Sequence, residues 1–316
     1  MEILEEVVGE VPQEMQEKKA AKAPRVEWIL GLIALLEVVL IVLMLAISLP
    51  KQQPEEDPEV LVHQSHQNEI PEETEAPAEE TEPEETTEPT IPPEANPYGR
   101  LDFQYNRNNY LLCQKQDSYP GIDVSAFQGE IDWQQVADSG IQFAIVRLGY
   151  RGYGKAGKMV EDEYAKRNLQ GARDAGLAVG AYFFSQALSI EEVDEEIEFL
   201  LEILGDFQLD MPLILDWEQV GVEGARSANM DARTLTDMQL HFCSIMKEKG
   251  YDPMIYFNWY QSKNLMYLSE LEEYPFWLAL YQERMTYPYR VEMWQYTDQG
   301  SVPGIQGNVD INVYMP

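Results

Sequence analysis

The chain is poor in the residues that most often hold metals or staple a fold. Its 316 residues include two cysteines and three histidines. Cys113 and Cys243 are too few for a disulfide scaffold, and no pair of cysteines has zinc-ligand spacing. One bridge in an oxidising compartment, or two separate thiols with Cys243 buried on a helix, are both compatible with the sequence. Only His241 lies beyond the acidic stretch described below, within the helical run Met238-Gln239-Leu240-His241-Phe242. A multi-histidine metal site is therefore excluded from the folded part. A Ser-His-Asp triad would rest on His241 alone, a residue whose setting reads as structural. Positive charge is scarce as well, with 22 Lys and Arg against 56 Asp and Glu and a formal net charge of −34. Phosphate backbones need basic grooves, so nucleic acid is excluded as a partner.

What is present divides along the chain. Residues 1–27 are polar and mixed in charge, with Lys18, Lys19, Lys22 and Arg25 crowded before an apolar run from Trp28 to Leu49. As a helix this run is about 33 Å long at ~1.5 Å per residue, enough to span a hydrocarbon core of ~30 Å. Glu37, near its middle, is costly there unless protonated, snorkelling or paired. A cleaved signal peptide is the alternative, but the run exceeds a usual apolar region and Ala46-Ile47-Ser48 is a poor cleavage match. The basic residues before the run predict a single-pass membrane helix over 28–49, with residues 1–27 cytoplasmic and the remainder outside the cell.

Residues 50–97 are rich in Glu, Pro and Thr, as in Glu79-Glu80-Thr81-Glu82-Pro83-Glu84. Such a segment buries too little apolar surface to offset its ordering entropy, and like charges and prolines extend it to roughly 150 Å at ~3.1 Å per residue. It is expected to be a disordered stalk. Residues 98–118, with Cys113, form a connecting segment read either as a short strand or cap under the next domain or as further linker.

From Tyr119 to the end, apolar runs alternate with helix-patterned segments. Ile122-Asp123-Val124, Phe143 to Leu148, Ala178 to Phe184, Pro212 to Trp217 and Met254 to Phe257 read as strands. Helical patterns run from Asp132 to Ser139, from Asp162 to Ala175, from Ser189 (a capping-box spacing with Glu192) to about Leu204, and from Asp231 or Thr234 to Gly250. Strands that do not alternate, joined by helices, indicate a parallel sheet buried on both faces. Phe276 to Tyr281, Val291 to Tyr296 and Val309 to Val313 add three strands joined by loops. Eight strands with about five helices predict an α/β, TIM-like closed barrel over 119–316 with an irregular last third.

A parallel barrel places its site at the carboxyl ends of the strands. The polar residues that break the apolar runs there are Asp123, Asp216, Glu218, Asn258, Gln295 and Asp310. In Leu213-Ile214-Leu215-Asp216-Trp217-Glu218, the period of two puts both carboxylates on one face. Two carboxylates in one low-dielectric pocket cannot both ionise easily, so one becomes a proton donor near neutral pH. That pairing suits glycosidic cleavage, which needs an acid for the leaving oxygen and a second carboxylate for developing positive charge. A metal site, or an ion pair with Arg147, is the alternative for the bare motif. Aromatic residues suited to stacking on sugar rings cluster at the same strand ends: Tyr182, Phe184, Tyr256, Trp259, Trp277, Tyr281, Trp294 and Tyr296. For Tyr256, Phe183 and Trp217 the core is an equal alternative. Trp277, Tyr281, Trp294 and Tyr296 are expected in the cleft.

Taken in order, several short motifs resemble glycoside hydrolase family 25, the muramidase-type lysozymes. They are Gly121-Ile122-Asp123-Val124-Ser125, Gln128-Gly129, Asp132-Trp133, Gly180-Ala181-Tyr182-Phe183-Phe184-Ser185 and Leu215-Asp216-Trp217-Glu218. Trp277-Leu278-Ala279, Trp294-Gln295-Tyr296 and Val309-Asp310-Ile311-Asn312 complete the set, so the resemblance runs from about Pro120 to Tyr314. It implies a (β/α)5(β)3 barrel that hydrolyses the β-1,4 bond between N-acetylmuramic acid and N-acetylglucosamine in peptidoglycan. It carries the general-acid role onto Glu218, and charge stabilisation or acetamido orientation onto Asp216. Asp123 and Asp310 become the other cleft carboxylates, with Tyr182, Phe184, Asn258, Trp277, Tyr281, Trp294, Gln295 and Tyr296 against substrate. No cofactor is implied, because acid and charge stabiliser are both side chains. One departure is Phe183, where many members carry histidine, a difference expected to alter subsite contacts. A barrel that only anchors to wall glycan, or one that cuts another N-acetylated glycan such as chitin, are the competing functions; protein partners are left open.

Overall fold

The computed structural model describes residues 92–316. The expected cytoplasmic segment, membrane helix and nearly all of the stalk lie outside these residues. Among the described residues no helix is long and apolar enough to cross a membrane.

A hairpin of β1 (Phe103–Tyr105) and β2 (Leu111–Cys113) precedes the barrel. The barrel strands are β3 (Tyr119–Val124), β4 (Phe143–Arg151), β6 (Ala178–Ser185), β7 (Leu213–Trp217), β8 (Pro253–Asn258), β9 (Phe276–Ala279), β10 (Met293–Gly300) and β11 (Val309–Tyr314). Each of the eight predicted runs is a barrel strand. Strands β3 to β10 pair in parallel around the barrel, and β11 closes it antiparallel to both β10 and β3. A short strand not expected from the sequence, β5 (Met159–Glu161), adds antiparallel to β4.

Helices α1 (Trp133–Asp138), α2 (Ala165–Asp174), α3 (Ile190–Leu204), α4 (Ala232–Glu248) and α5 (Trp259–Asn264) follow β3, β5, β6, β7 and β8, and a one-turn α6 (Leu268–Leu271) follows α5. Side chains of Asp132, Ser189, Asp231 and Asn258 accept from the third backbone N–H beyond them and start their helices. The expected capping box at Ser189 forms by half. Glu192 reaches back to the amide of Leu188, 2.8 Å away, and not to that of Ser189. The helix pattern read from Asp162 starts later, at Ala165, because the Asp162 carboxylate is spent on Arg147 and on the Ala126 and Tyr164 amides. Gly176 and Gly250, the predicted helix stops, have φ of +82° and +86°, conformations that glycine adopts without a Cβ penalty.

Burial on two faces explains why these strands do not alternate in hydropathy. Phe143, Ile145, Tyr182, Phe184, Ile214, Met254, Tyr256, Trp277 and Met293 fill the interior. Their neighbours Ala144, Val146, Phe183, Leu215, Trp217, Phe257 and Leu278 pack outward under the helices. Gly121 keeps the interior closed by its smallness, since a Cβ there would stand 2.3 Å from the Phe143 ring. No helices cover the last strands, and the connecting segment takes that place. Phe103 stacks edge-on against Trp294 at 5.1 Å, and the Leu111 amide donates to the Tyr296 hydroxyl at 3.2 Å. Chain order starts earlier still, within the segment expected to be stalk. Ala95 bridges to Tyr289, and the Asn96 amide donates to the Pro288 carbonyl at 2.8 Å. Cys113 and Cys243 are separate buried thiols.

Candidate active site

At one mouth of the barrel the carboxylates singled out from the sequence converge. Asp123 is the penultimate residue of β3, Asp216 the penultimate residue of β7 with Glu218 directly after that strand, and Asp310 the second residue of β11. Because β11 runs opposite to the rest, its amino end stands on the rim formed by the carboxyl ends of the others, where Asp310 pairs in register with Asp123. All four are between 4 and 6% exposed. Their nearness to each other is registered by two tyrosines. Burial, then the charges of Glu218, Asp216 and Asp123, pushes the Tyr256 hydroxyl well above its ordinary pKa. Burial, then Asp310, Glu218, Asp298 and Asp123, does the same to Tyr281. Both hydroxyls stay protonated, and Tyr281 donates its proton to Gln295 Oε1.

A chain of amides fixes the Asp123–Asp310 side. Gln295 Nε2 donates to Asp123 Oδ2 at 2.9 Å and to Asp310 Oδ2 at 3.3 Å, while its Oε1 accepts from the Tyr281 hydroxyl at 3.0 Å. Asn312 Nδ2 donates to the same Asp123 oxygen at 2.6 Å, and its Oδ1 accepts from the Trp277 indole N–H at 2.8 Å. Asp123 is thereby held in one orientation by two neutral donors. Arg147, considered from the sequence as an ion partner for the Asp216/Glu218 motif, sends its Nε to Asp162 at 2.8 Å and lies over the Phe127 and Tyr150 rings.

The structure brings Asp123, Asp216, Glu218, Asp310, Gln295, Tyr281 and Asn258 to the same mouth. The Asn258 Oδ1 also caps α5, accepting from the Gln261 amide at 2.9 Å. Tyr182, Phe184 and Trp277 face the interior beneath the carboxylates, Tyr182 and Phe184 as floor and Trp277 as the support of Asn312. Trp294 and Tyr296 do not join them. Gln295 points inward, so its two neighbours point outward by strand alternation. Trp294 gives its indole N–H to the Leu280 carbonyl, and Tyr296 meets the hairpin. Phe183 likewise faces outward, with its ring 6.1 Å from that of Phe199 on α3, so the departure at this position touches no subsite. Trp217 is an outward core residue too, donating to the Ala187 carbonyl at 2.9 Å. Solvent-facing aromatics on the rim are Phe127 after β3 and Trp259 and Tyr260 after β8.

Sequence reasoning passed over Asn312, Asp298 and Gln186. Asn312 stands two residues from Asp310, on the same face, which was the available signal. Asp298 on β10 is buried among polar neighbours and adds charge near Tyr281. Nothing local marks Gln186. His241 pairs with Asp194 at 2.6 Å between α4 and α3, away from the mouth.

An eight-stranded α/β barrel with buried carboxylates gathered at the strand ends suits glycoside hydrolysis, and the comparison with known families assigns that class. The glycosyl hydrolases family 25 pattern matches residues 122–305, and the chain belongs to that family. It is 34% identical to YegX of Escherichia coli strain K12 over 210 residues, covering 61% of this chain and 68% of that one. It is 26% identical to the autolytic lysozyme of Clostridium acetobutylicum over 197 residues, 61% of this chain and 55% of the other. Among solved structures, the modular autolysin LytC of Streptococcus pneumoniae, in complex with a synthetic peptidoglycan ligand, shares the fold. Its TM-score is 0.55 at 24% identity, over 68% of this chain and 52% of LytC. The chain thus spans about half the length of LytC.

Proposed function

We propose that the barrel is a muramidase that hydrolyses the β-1,4 bond between N-acetylmuramic acid and N-acetylglucosamine in peptidoglycan. The observation that carries this is the placing of Asp216 and Glu218 on one face of β7, opposite the Asp123–Asp310 pair in a single buried mouth. Glu218, at the outermost position of the strand end, is the general acid that protonates the leaving oxygen. Asp216 balances the positive charge that develops at the anomeric carbon or orients the substrate's acetamido group. The Tyr256 hydroxyl, held protonated, lies beside the same space, while the Tyr281 hydroxyl is committed to Gln295 Oε1. The relatives described as lysozymes support this choice of substrate.

The apolar run 28–49 and the acidic segment after it support a second part of the proposal. The enzyme is tethered at the outer face of the cell membrane, N-terminus inside, and works on wall within reach of its stalk. Protease accessibility of the barrel on intact spheroplasts, with the chain retained in the membrane fraction, tests the topology; a barrel protected from protease overturns it.

The catalytic part is tested with the full-length chain on purified peptidoglycan beside Glu218→Gln. Release of fragments with new N-acetylmuramic acid reducing ends, abolished in the variant, supports it. Binding without release points to a wall anchor. Cleavage of chitin oligosaccharides in preference to peptidoglycan points to a different N-acetylated glycan.

A further inference from the structure

Backbone pairing fails along β7 where the chemistry begins. On the β8 side the ladder stops at Leu215 opposite Ile255, and on the β6 side at Trp217 opposite Ser185. Leu213 donates its N–H to the Asp252 carbonyl just before β8, so it faces β8. Backbone groups two residues apart on a strand point the same way, so the carbonyls of Leu215, in the last pair of that ladder, and of Trp217, beyond its end, face that side too. The Glu218 carbonyl lies past the last β6 pair. A buried carbonyl past the end of its ladder bears its full desolvation cost unless a side chain donates to it.

Three glutamine side chains from three different segments fill the positions. Gln239 on α4 donates Nε2 to the Leu215 carbonyl at 3.2 Å. Gln261 on α5 donates to the Trp217 carbonyl and is itself set by reciprocal bonds with Asn258. Gln186, the residue directly after β6, donates to the Glu218 carbonyl at 2.5 Å. All three are fully buried. Gln186 is anchored at its other end, because its Oε1 accepts from Ser227 Oγ at 2.6 Å. Ser227 lies on the single 3-10 turn Arg226–Asn229 in the segment that leaves Glu218. The Gln186 amide therefore joins the Glu218 peptide on one side to the returning loop on the other.

We infer that Gln186 is a positioning residue for Glu218: with Gln261 it continues the β7 ladder in side-chain amides and thereby sets where the Glu218 carboxyl stands. This rests on the reading of Glu218 as general acid. The β6–β7 ladder ends at Trp217, one residue before Glu218, and rotation of the Glu218 peptide swings the side chain it carries. Displacements of about 1 Å at a reacting group are enough to cost about 100-fold in rate. Glutamine suits the position because its amide carries two N–H donors and an acceptor at the end of a two-carbon stem: Nε2 donates to the Glu218 and Ser185 carbonyls and Oε1 accepts from Ser227.

The test compares the full-length wild type with Gln186→Met, Ser227→Ala and Glu218→Gln on peptidoglycan. It records kcat, KM, the pH dependence of kcat/KM and the thermal midpoint. Gln186→Met keeps the volume and removes the side-chain hydrogen bonds to Glu218, Ser185 and Ser227; kcat is expected to fall about 10- to 100-fold with KM within about twofold. The alkaline limb of the pH profile, which reports the acid's ionisation, is expected to move. Ser227→Ala keeps the donor but frees its anchor, and is expected to shift the same quantities in the same direction by less. It also carries the test should Gln186→Met fail to fold. Wild-type kcat in a folded Gln186→Met, or a fall in kcat and midpoint together with an unmoved pH profile, overturns the inference. If Gln186→Met does not fold, wild-type kcat and pH profile in Ser227→Ala overturn it. An active Glu218→Gln overturns the assignment of the acid beneath it, which an inactive Glu218→Gln beside an unaffected Gln186→Met leaves standing.

Discussion

Asp123 and Asp310 stand opposite each other in the antiparallel β3–β11 pair, and one amide, Gln295 Nε2, donates to both. Like charges this close repel unless shared donors or a proton intervene. Gln295→Glu would replace the shared donor by a third carboxyl. The new group's pKa in the folded state is expected above its unfolded value, so its contribution to stability is present at low pH and lost as pH rises through the folded value. The thermal midpoint of Gln295→Glu should therefore trail the wild type more at pH 8 than at pH 5, with activity down about 10- to 100-fold. A deficit independent of pH would show that Gln295 does not separate two charged neighbours.

Glu218→Gln should retain the fold, since the amide is isosteric and the backbone around it is held by Gln186 and Gln261. Loss of a general acid costs about 100- to 10,000-fold. Turnover of peptidoglycan measured by reducing-end release should fall in that range with the thermal midpoint close to wild type. Turnover within tenfold of wild type would move the acid to another residue of the mouth.

Glu196 on α3 lies at the outer side of β6, between Ser185 Oγ at 2.6 Å and Arg151 Nε at 2.7 Å. Burial raises its carboxyl to about 7, and the Arg151 charge offsets only part of that. Its folded pKa lies above the unfolded one, so the stability linked to its proton is complete below pH ~4.5 and lost as pH climbs through about 7. Glu196→Gln should therefore flatten the thermal midpoint against pH between 5 and 8, gaining on the wild type at the alkaline end. If the variant instead loses ground as pH rises, Glu196 is ionised throughout and the Arg151 pair dominates.

Phe103 covers the outer face of Trp294 where no helix does. Phe103→Ala removes a buried ring and leaves a cavity over β10, a change worth about 3–5 kcal/mol in well-packed cores. Urea unfolding should show a loss of that order, with kcat at low temperature nearly unchanged because the ring is on the far side of β10 from Gln295. A loss under 1 kcal/mol would mean that the hairpin is only loosely docked.

Much of this was legible beforehand where local chemistry dictates it. Runs of apolar residues as short as Phe143–Leu148 read as strands, a helix cap was legible at Ser189, helix starts were read at Asp132 and at Asp231 or Thr234, and the D-x-E at the end of β7 put both carboxylates on one face. Trp294 and Tyr296 illustrate the limit. Their closeness to a strand end was read as closeness to the cleft, yet alternation about Gln295 turned both outward. The inward residue of a strand buried on both faces cannot be told from its neighbours by hydropathy.

The sequence by itself determined the eight barrel strands and most of their helices, and marked the acidic residues able to do the chemistry, because each follows from periodicity or capping within a few residues. Tertiary structure alone decided the rest. It put Asp310 beside Asp123 by reversing the last strand, turned the connecting segment into the cover of β10, and brought Gln186, Gln239 and Gln261 from three distant segments onto the carbonyls of β7. These contacts join residues tens to nearly two hundred positions apart, and what selects them is the closure of the sheet on itself and the need of its buried carbonyls for donors.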